Sequence, residues 1–288
     1  MISRRHFMTL GYASAVAGIA GAGDAFGVEP RFRLVTAEWG VRHPGWTGAP
    51  LRIGILADLH AVEPWMPLPR IASIVERLNA CRPDVIVLLG DYVNALRSPY
   101  YTTIVPVPRW ADALAALRAP LGVYAILGNH DWWSGEVPAI REAFARAGIR
   151  LLENAAVPLA WDGGHFWMAG LGDQLAYRRK GGADDLPGTL RQIGDKAPAI
   201  LLAHEPDIFQ DVPARVTLTL AGHTHGGQVY IPFVGRPATD ENYGRYAYGH
   251  IEEEGRHMIV SSGLGLSHLP VRFLVPPEIA LVTLSGLA

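Results

Sequence analysis

Cysteine and lysine are scarce, and neither sign of charge is in excess. Cys81 is the only cysteine in 288 residues, which excludes an intrachain disulfide and any cysteine-rich zinc site. Lysine occurs only at Lys180 and Lys196; the rest of the 25 basic residues are arginine, a compositional bias with no functional content. Against those 25 bases stand 27 acids, a net charge of −2, so there is no basic excess for a nucleic-acid partner and no acidic tail. Internal repeats and low-complexity tracts are absent. What is present is apolar: 49% hydrophobic and 18% charged residues exclude a disordered or fibrous chain. The length suits one larger α/β domain or two small ones.

Ser3-Arg4-Arg5-His6-Phe7-Met8 opens the chain, followed by an uncharged run to Gly23. A twin arginine before a weakly apolar stretch resembles a twin-arginine export signal. The run is rich in glycine and alanine, has no leucine after Leu10, and falls short of the ~20 residues of a membrane span. Ala20-Gly21-Ala22 has the small-x-small pattern of a cleavage site. Residues 1–28 are therefore read as a signal for export to the periplasm or cell envelope. Left uncleaved, the same segment is a membrane tether. Residues 29–288 are read as the folded domain.

Beyond that segment, strands and helices alternate. Arg31–Val41 alternates apolar and polar residues as an edge strand does. Leu51–Ala57, Asp84–Leu89, Gly122–Leu127, Ala199–Ala203 and Val216–Ala221 read as strands, most of them continuous apolar runs of the buried kind. Pro67–Ala80, Trp110–Leu117 and Val137–Ala147 have helical character, the last stopped by Gly148. Asp162-Gly163-Gly164 marks a hairpin between strands at Leu159–Trp161 and Phe166–Ala169. Gln228–Phe233, Arg245–Ile251, Arg256–Ser261 and Ile279–Leu284 finish the chain as mostly β structure. Ser98–Pro108 reads as a long loop.

Ligands of α/β sheets bind beyond the carboxyl ends of strands. Here five successive strands run directly into metal-capable residues. They are Asp58-Leu59-His60; Gly90-Asp91-Tyr92-Val93-Asn94; Gly128-Asn129-His130-Asp131; His204; and Gly222-His223-Thr224-His225-Gly226-Gly227. In an extended segment Asp58 and His60 share one face, as do His223 and His225, because strand side chains alternate with period two. Imidazole and carboxylate together suit Mn, Fe and Zn, with the open positions that hydrolysis needs. Each motif alone is weak; Gly-His-x-His-Gly-Gly is the strongest, and the conjunction is what carries weight.

In that order and combination the motifs resemble the calcineurin-like metallophosphoesterase superfamily, over roughly Leu51 to Leu284. The tail Ser261–Gly265, Leu269–Phe273 and Pro276–Ile279 is similar to a bacterial branch of membrane-associated or twin-arginine-exported phosphoesterases, some of them UDP-2,3-diacylglucosamine hydrolases. The resemblance implies a four-layer α/β/β/α sandwich and two divalent metal ions. Asp58, His60 and His225 would hold the first, Asn129, His204 and His223 the second, and Asp91 would bridge them. A metal-bridging hydroxide would attack the phosphorus of a phosphodiester or phosphomonoester. His130 would serve the leaving oxygen, with Asp131 orienting its ring. The alternative activity is that of a lipid pyrophosphatase of the UDP-2,3-diacylglucosamine type at the membrane. Candidate substrate contacts are Arg97, Trp132 and Arg236, with Trp133, Tyr100, Tyr101 and Arg272 as further walls. His268 is the most notable histidine outside the motifs. Oligomeric state is not legible.

Overall fold

Uninterrupted apolar runs need partners on both faces, and the fold supplies them by stacking two sheets between two outer layers. The computed structural model describes residues 23–96, 98–237, 239 and 244–287. After two helical turns, Asp24–Val28 and Glu29–Phe32, come β1 (Val35–Arg42), β2 (Leu51–Leu56), β3 (Val62–Glu63), α1 (Leu68–Ala80), β4 (Val85–Leu88), β5 (Thr103–Ile104), α2 (Val107–Leu114), β6 (Val123–Ala125), α3 (Asn129–Ser134), α4 (Val137–Ala147) and β7 (Arg150–Leu151). The second half runs β8 (Ala155–Trp161), β9 (Gly164–Gly170), α5 (Leu186–Arg191), β10 (Ala199–Leu202), β11 (Leu218–Ala221), β12 (Gly249–Glu253), β13 (Arg256–Val260) and β14 (Glu278–Ser285).

One six-stranded sheet has the order β1-β14-β2-β4-β6-β7 and the other β12-β13-β11-β10-β9-β8. Strands β2, β4 and β6 are parallel, as are β9, β10, β11 and β13. Antiparallel partners enter as β14 beside β2 and as hairpin edges β8 and β12. Period-two alternation sends Val85 and Val87 to the core between the sheets, with Ile53, Ile55, Leu218 and Leu220. Ile86 and Leu88, from the opposite face of β4, meet the helical layer through Ile71, Leu78, Trp110 and Phe144. On the far side Leu201, Met258 and Val260 pack against Ile208, Phe209 and Val212. Three apolar cores separate four layers, α/β/β/α. The carboxyl ends of the parallel strands from both sheets therefore open on one edge.

Helix α4 illustrates how local sequence sets an element. Val137, Ile140, Ala143 and Phe144 are buried, one face of a helix. Gly148 adopts φ 70° and closes the helix, and Ile149 N–H reaches back to the Phe144 carbonyl at 3.0 Å. Other expectations need correction. Gln228–Phe233 is not a strand: Gln228 and Phe233 have φ 56° and 68°, Pro232 has no N–H, and only isolated bridges link Val229 to Phe273 and Ile231 to Gly235. Arg245 lies in a helical turn, and its strand starts at Gly249. Inside the 98–108 loop, Thr103–Ile104 pairs with Val62–Glu63.

Residues 1–22, which carry the export motif, lie outside the described residues. Residues 24–28 pack on the body: the Ala25 carbonyl accepts from Arg272 N–H at 2.9 Å. Glu29, fully buried, accepts Val275 N–H at 2.8 Å and Leu274 N–H at 3.2 Å.

Candidate metal centre and substrate pocket

The motif residues converge where the two sheets' strand ends meet. Their route differs from the period-two expectation. Asp58 and His60 lie past the end of β2, and His223 and His225 past β11, all in left-handed backbone: φ is 53°, 42°, 69° and 51°, and Asp91 adds 56°. Such conformations disfavour residues with a side chain by about 1–3 kcal/mol each and persist where the surroundings over-determine them. The surroundings are tight. A Cβ on Gly90, itself at φ 93°, would lie 2.5 Å from Gly128 N and 2.8 Å from His204 Nδ1, so only glycine lets these two loops meet.

Asp58, His60 and His225 form one group. His60 Nε2 is 3.0 Å from His225 Nε2, and His225 Nε2 is 3.7 Å from Asp58 Oδ1. Asn129, His204 and His223 form the other, with Asn129 Oδ1 3.2 Å from His204 Nε2 and 3.0 Å from His223 Nδ1. Asp91 stands between them: its Oδ2 is 3.5 Å from His60 Nε2 and 3.3 Å from His204 Nε2. Asp58, His60, Asp91, Asn129 and His204 are all at most 1% exposed.

Electrostatics fit a cation in each group. Burial, with His130 next, holds the His60 imidazole down at about 3, and burial holds His223 at about 4. Burial and then His60 hold His225 well below its ordinary value. Neutral imidazole is the metal-binding form. Burial also pushes the Asp58 carboxyl up to about 7. Burial would lower His204, but the neighbouring Asp91 carboxylate raises it well above its usual value, so positive charge is favoured between them. His204 Nδ1 donates to the Leu89 carbonyl at 2.7 Å, which turns its Nε2 toward Asp91 and Asn129. Five His/Asp/Glu groupings among the described residues bring ligating atoms within 4.8 Å of one another; three consist of these motif residues and a fourth joins His204 to Asp173 and Glu205.

His130 and Asp131 occupy the first turn of α3. Ala95 N–H donates to His130 Nδ1 at 3.2 Å, which leaves the proton of the neutral ring on Nε2. Asp131 does not orient that ring. As the third residue of its helix it turns back on the loop: Oδ2 accepts the N–H groups of Asp91 and Gly128 at 2.9 Å, and Oδ1 accepts those of Tyr92 at 2.9 Å and Val93 at 3.1 Å. It fixes the backbone that carries Asp91.

A cavity of about 590 Å³ opens over the groups, floored by Asp91, Asn129, His130, His223 and His225. Trp133, Val229, Leu269 and Val271 are apolar walls; Gln228, Ser267 and His268 add polar ones. Among the expected contacts, Trp133 is there and Trp132 is not; His268, read from the sequence as structural or surface, lines the cavity too. Trp132 packs edge-on to Tyr177 at 5.5 Å, with Arg141 5.8 Å above its ring. Arg236 also stands back from the lining: it donates to the Gly226 carbonyl and sits over the Tyr230 and Tyr248 rings at 5.4 and 5.3 Å. Arg272 is fully buried. Its guanidinium is spent on the carbonyls of Ser262, Gly265 and Val275, and Nη2 is 3.4 Å from His225 Nδ1. It buttresses a site residue and cannot reach a substrate. Arg97 lies outside the described residues. Gln228 and Val229 had no motif to mark them; their place in the wall depends on pairing with the distant 269–273 segment.

Facing Asp/His groups at the strand ends of a four-layer sandwich define a metal-dependent hydrolase of phosphoric esters. The calcineurin-like phosphoesterase model matches residues 51–227, and the chain belongs to that family. Over 99% of its length it is 31% identical to the Bacillus subtilis (strain 168) metallophosphoesterase YkuE, covering 98% of that protein. It is 32% identical to phosphodiesterase YaeI of Escherichia coli (strain K12), over 99% of this chain and 100% of that one. A solved dimetal phosphatase from Danio rerio aligns with 74% of this chain and 88% of its own, at 11% identity and a TM-score of 0.42.

Proposed function

We propose that the chain hydrolyses phosphodiesters, and phosphomonoesters less selectively, with two divalent ions of the Mn, Fe or Zn kind. Asp58, His60 and His225 hold one and Asn129, His204 and His223 the other. The observation that carries this is the placement of Asp91 Oδ2 within 3.5 Å of an imidazole nitrogen from each group, in a buried site. Such ions supply Lewis acidity toward phosphoryl oxygens and an acidified water. The chain's own part is to orient the ester over Asp91 and Asn129 and to present the His130 Nε2 proton to the departing oxygen. The name of the Escherichia coli relative, a phosphodiesterase, supports the diester preference. Asp91→Asn should bind less than half of the native complement of both ions by elemental analysis, because one bridging charge serves each. Two ions retained with full activity would overturn the assignment.

We read Arg4-Arg5 and the uncharged run behind them as an export signal, cleaved or kept as a tether. Replacing both arginines by lysine should keep the protein in the cytosolic fraction. Native protein found in the cytosol with its first residues intact, and unmoved by the lysine pair, would reject this. The apolar walls favour a substrate with an apolar arm, the feature shared with the lipid pyrophosphatase reading. Turnover of UDP-diacylglucosamine by metal-loaded protein, set beside mono- and diesters in one screen, separates that reading from a general phosphodiesterase.

A further inference from the structure

Exposed apolar side chains gather around the mouth of the pocket. On the N-terminal helical turns Phe26 and Phe32 are 50% and 73% exposed. On the loop that follows Gln228, Phe233 is fully exposed and Val234 is 70% exposed. Leu269 and Leu274, on the strap before β14, are about half exposed. These segments form one surface. Arg272 N–H bonds the Ala25 carbonyl, Phe273 N–H the Gln228 carbonyl and Tyr230 N–H the Phe273 carbonyl, each at 2.9 Å.

The surface continues round the other side. The Arg31 guanidinium lies 5.6 Å over the Trp65 ring, Trp65 Nε1–H donates to the Tyr100 carbonyl at 2.9 Å, and the Tyr101 hydroxyl donates to the Ser267 carbonyl. Gln228, Val229, Ser267 and Leu269 belong both to this ring of contacts and to the cavity lining. Leu287 is a contrast among the described residues: exposed, but past the opposite end of β14.

We propose that this face docks on the surface of a phospholipid bilayer and that the pocket draws its phosphoester from the membrane, an extension that rests on the phosphoesterase reading above. An apolar rim of this kind round a site mouth is the mark of an interaction surface. Three observations select a bilayer over a protein partner. The chain reaches this face at Gly23 directly from a stretch with no charged residue between Arg5 and Asp24. The apolar side chains sit on separate loop tips and helical turns, which suits shallow insertion into a headgroup layer. The cavity has Trp133, Val229, Leu269 and Val271 above its polar floor, so an acyl arm would lie along the walls while its phosphate reached Asp91 and Asn129. Docking is mainly apolar in character: Arg33 on these turns is paired with Asp24 at 3.6 Å and Glu29 at 3.7 Å, and a further cation there, Arg31, lies over the Phe32 and Trp65 rings. Neutral lipid therefore suffices.

The test is flotation of the full chain with phosphatidylcholine vesicles. The triple variant Phe32→Glu, Phe233→Glu, Val234→Glu keeps residues 1–22 and all site residues, so a difference reports this face alone. Its vesicle-bound fraction should fall about tenfold or more, and native binding should survive about 0.5 M salt. Leu287→Glu should float like the native chain. Turnover of a soluble chromogenic diester should stay within about twofold in both variants, since none of these side chains lines the pocket. Equal flotation of native and triple variant overturns the proposal. So does a native dimer that the triple variant splits in lipid-free sedimentation, which gives the face to a second copy. Absence of diester turnover in metal-loaded native protein fails the phosphoesterase reading, and flotation still decides the docking.

Discussion

Asp91 and His130 divide the work at the floor of the pocket. Asp91 lies between two groups of nitrogen and oxygen atoms, and the hydrogen bond that His130 makes to it comes from the backbone N–H, which donates to Asp91 Oδ1 at 2.8 Å. The ring lines the cavity between His60 and Trp133, and its Nε2 proton is set by the Ala95 N–H on the opposite nitrogen. His130→Ala should therefore lower kcat by roughly 10²–10⁴-fold while metal content stays native. The loss should shrink for nitrophenyl leaving groups, which need little protonation, relative to alkyl ones. Equal losses for the two would count against the proton-donor role. The types of these residues were legible in sequence, because strand ends carrying Asp, Asn and His in that order are chemically conspicuous. The neighbours of each were not: the Asp131 carboxylate pairs with residues 38 to 40 positions away, and Arg272, held by carbonyls of its own loop, meets the His225 imidazole 47 positions away.

At the level of elements, the strand-to-helix turn of α3 is what aims the site. Asp131 accepts four buried N–H groups at once, three from residues 91–93 and one from Gly128. An amide offers one acceptor oxygen and turns an NH₂ on the remaining donors. Asp131→Asn should then cost about 2–4 kcal/mol of stability and lower the melting temperature by several degrees. Activity should fall further than the unfolded fraction accounts for, because Asp91 loses its anchor; a variant as active as the native chain would refute the clamp. Periodicity found the elements whose burial is local. Helix α4 ends where Gly148 predicts, and the alternation in β4 feeds two cores as a doubly buried strand must. It missed α3, whose Asn-His-Asp-Trp-Trp-Ser sequence has no helical period, and it made a strand of Gln228–Phe233, where positive φ at both ends prevents one.

For the molecule as a whole, the two sheets are held together by the apolar core between them and meet at one polar end. Two fully buried carboxylates, Asp58 and Asp91, stand there beside the His60, His223 and His225 imidazoles, which burial keeps from protonating. A cation bound to the folded form alone stabilises it by mass action, about 2.7 kcal/mol at a hundred times its dissociation constant. Stripping the protein with a chelator should lower its melting temperature by roughly 5–10 °C, and adding back Mn or Zn should restore it. Calorimetry showing the same transition before and after stripping would argue against resident ions in the fold.

The sequence by itself determined the α/β class and the residues that gather at the strand ends. Apolar runs and their period are local properties, and a strand that ends in Asp-x-His carries its chemistry with it wherever it folds. Tertiary structure decided everything that depends on an approach between distant segments. Left-handed backbone, rather than extended alternation, turns Asp58 with His60 and His223 with His225 toward one point, and the Gly90–Gly128 contact makes room for it. Trp133 faces the cavity and Trp132 the helical layer because α3 turns between them, and Arg272, wrapped by the carbonyls of its own loop, is buried against His225 from 47 positions away. Those choices are made by packing between segments far apart in the chain, and no periodicity within one segment encodes them.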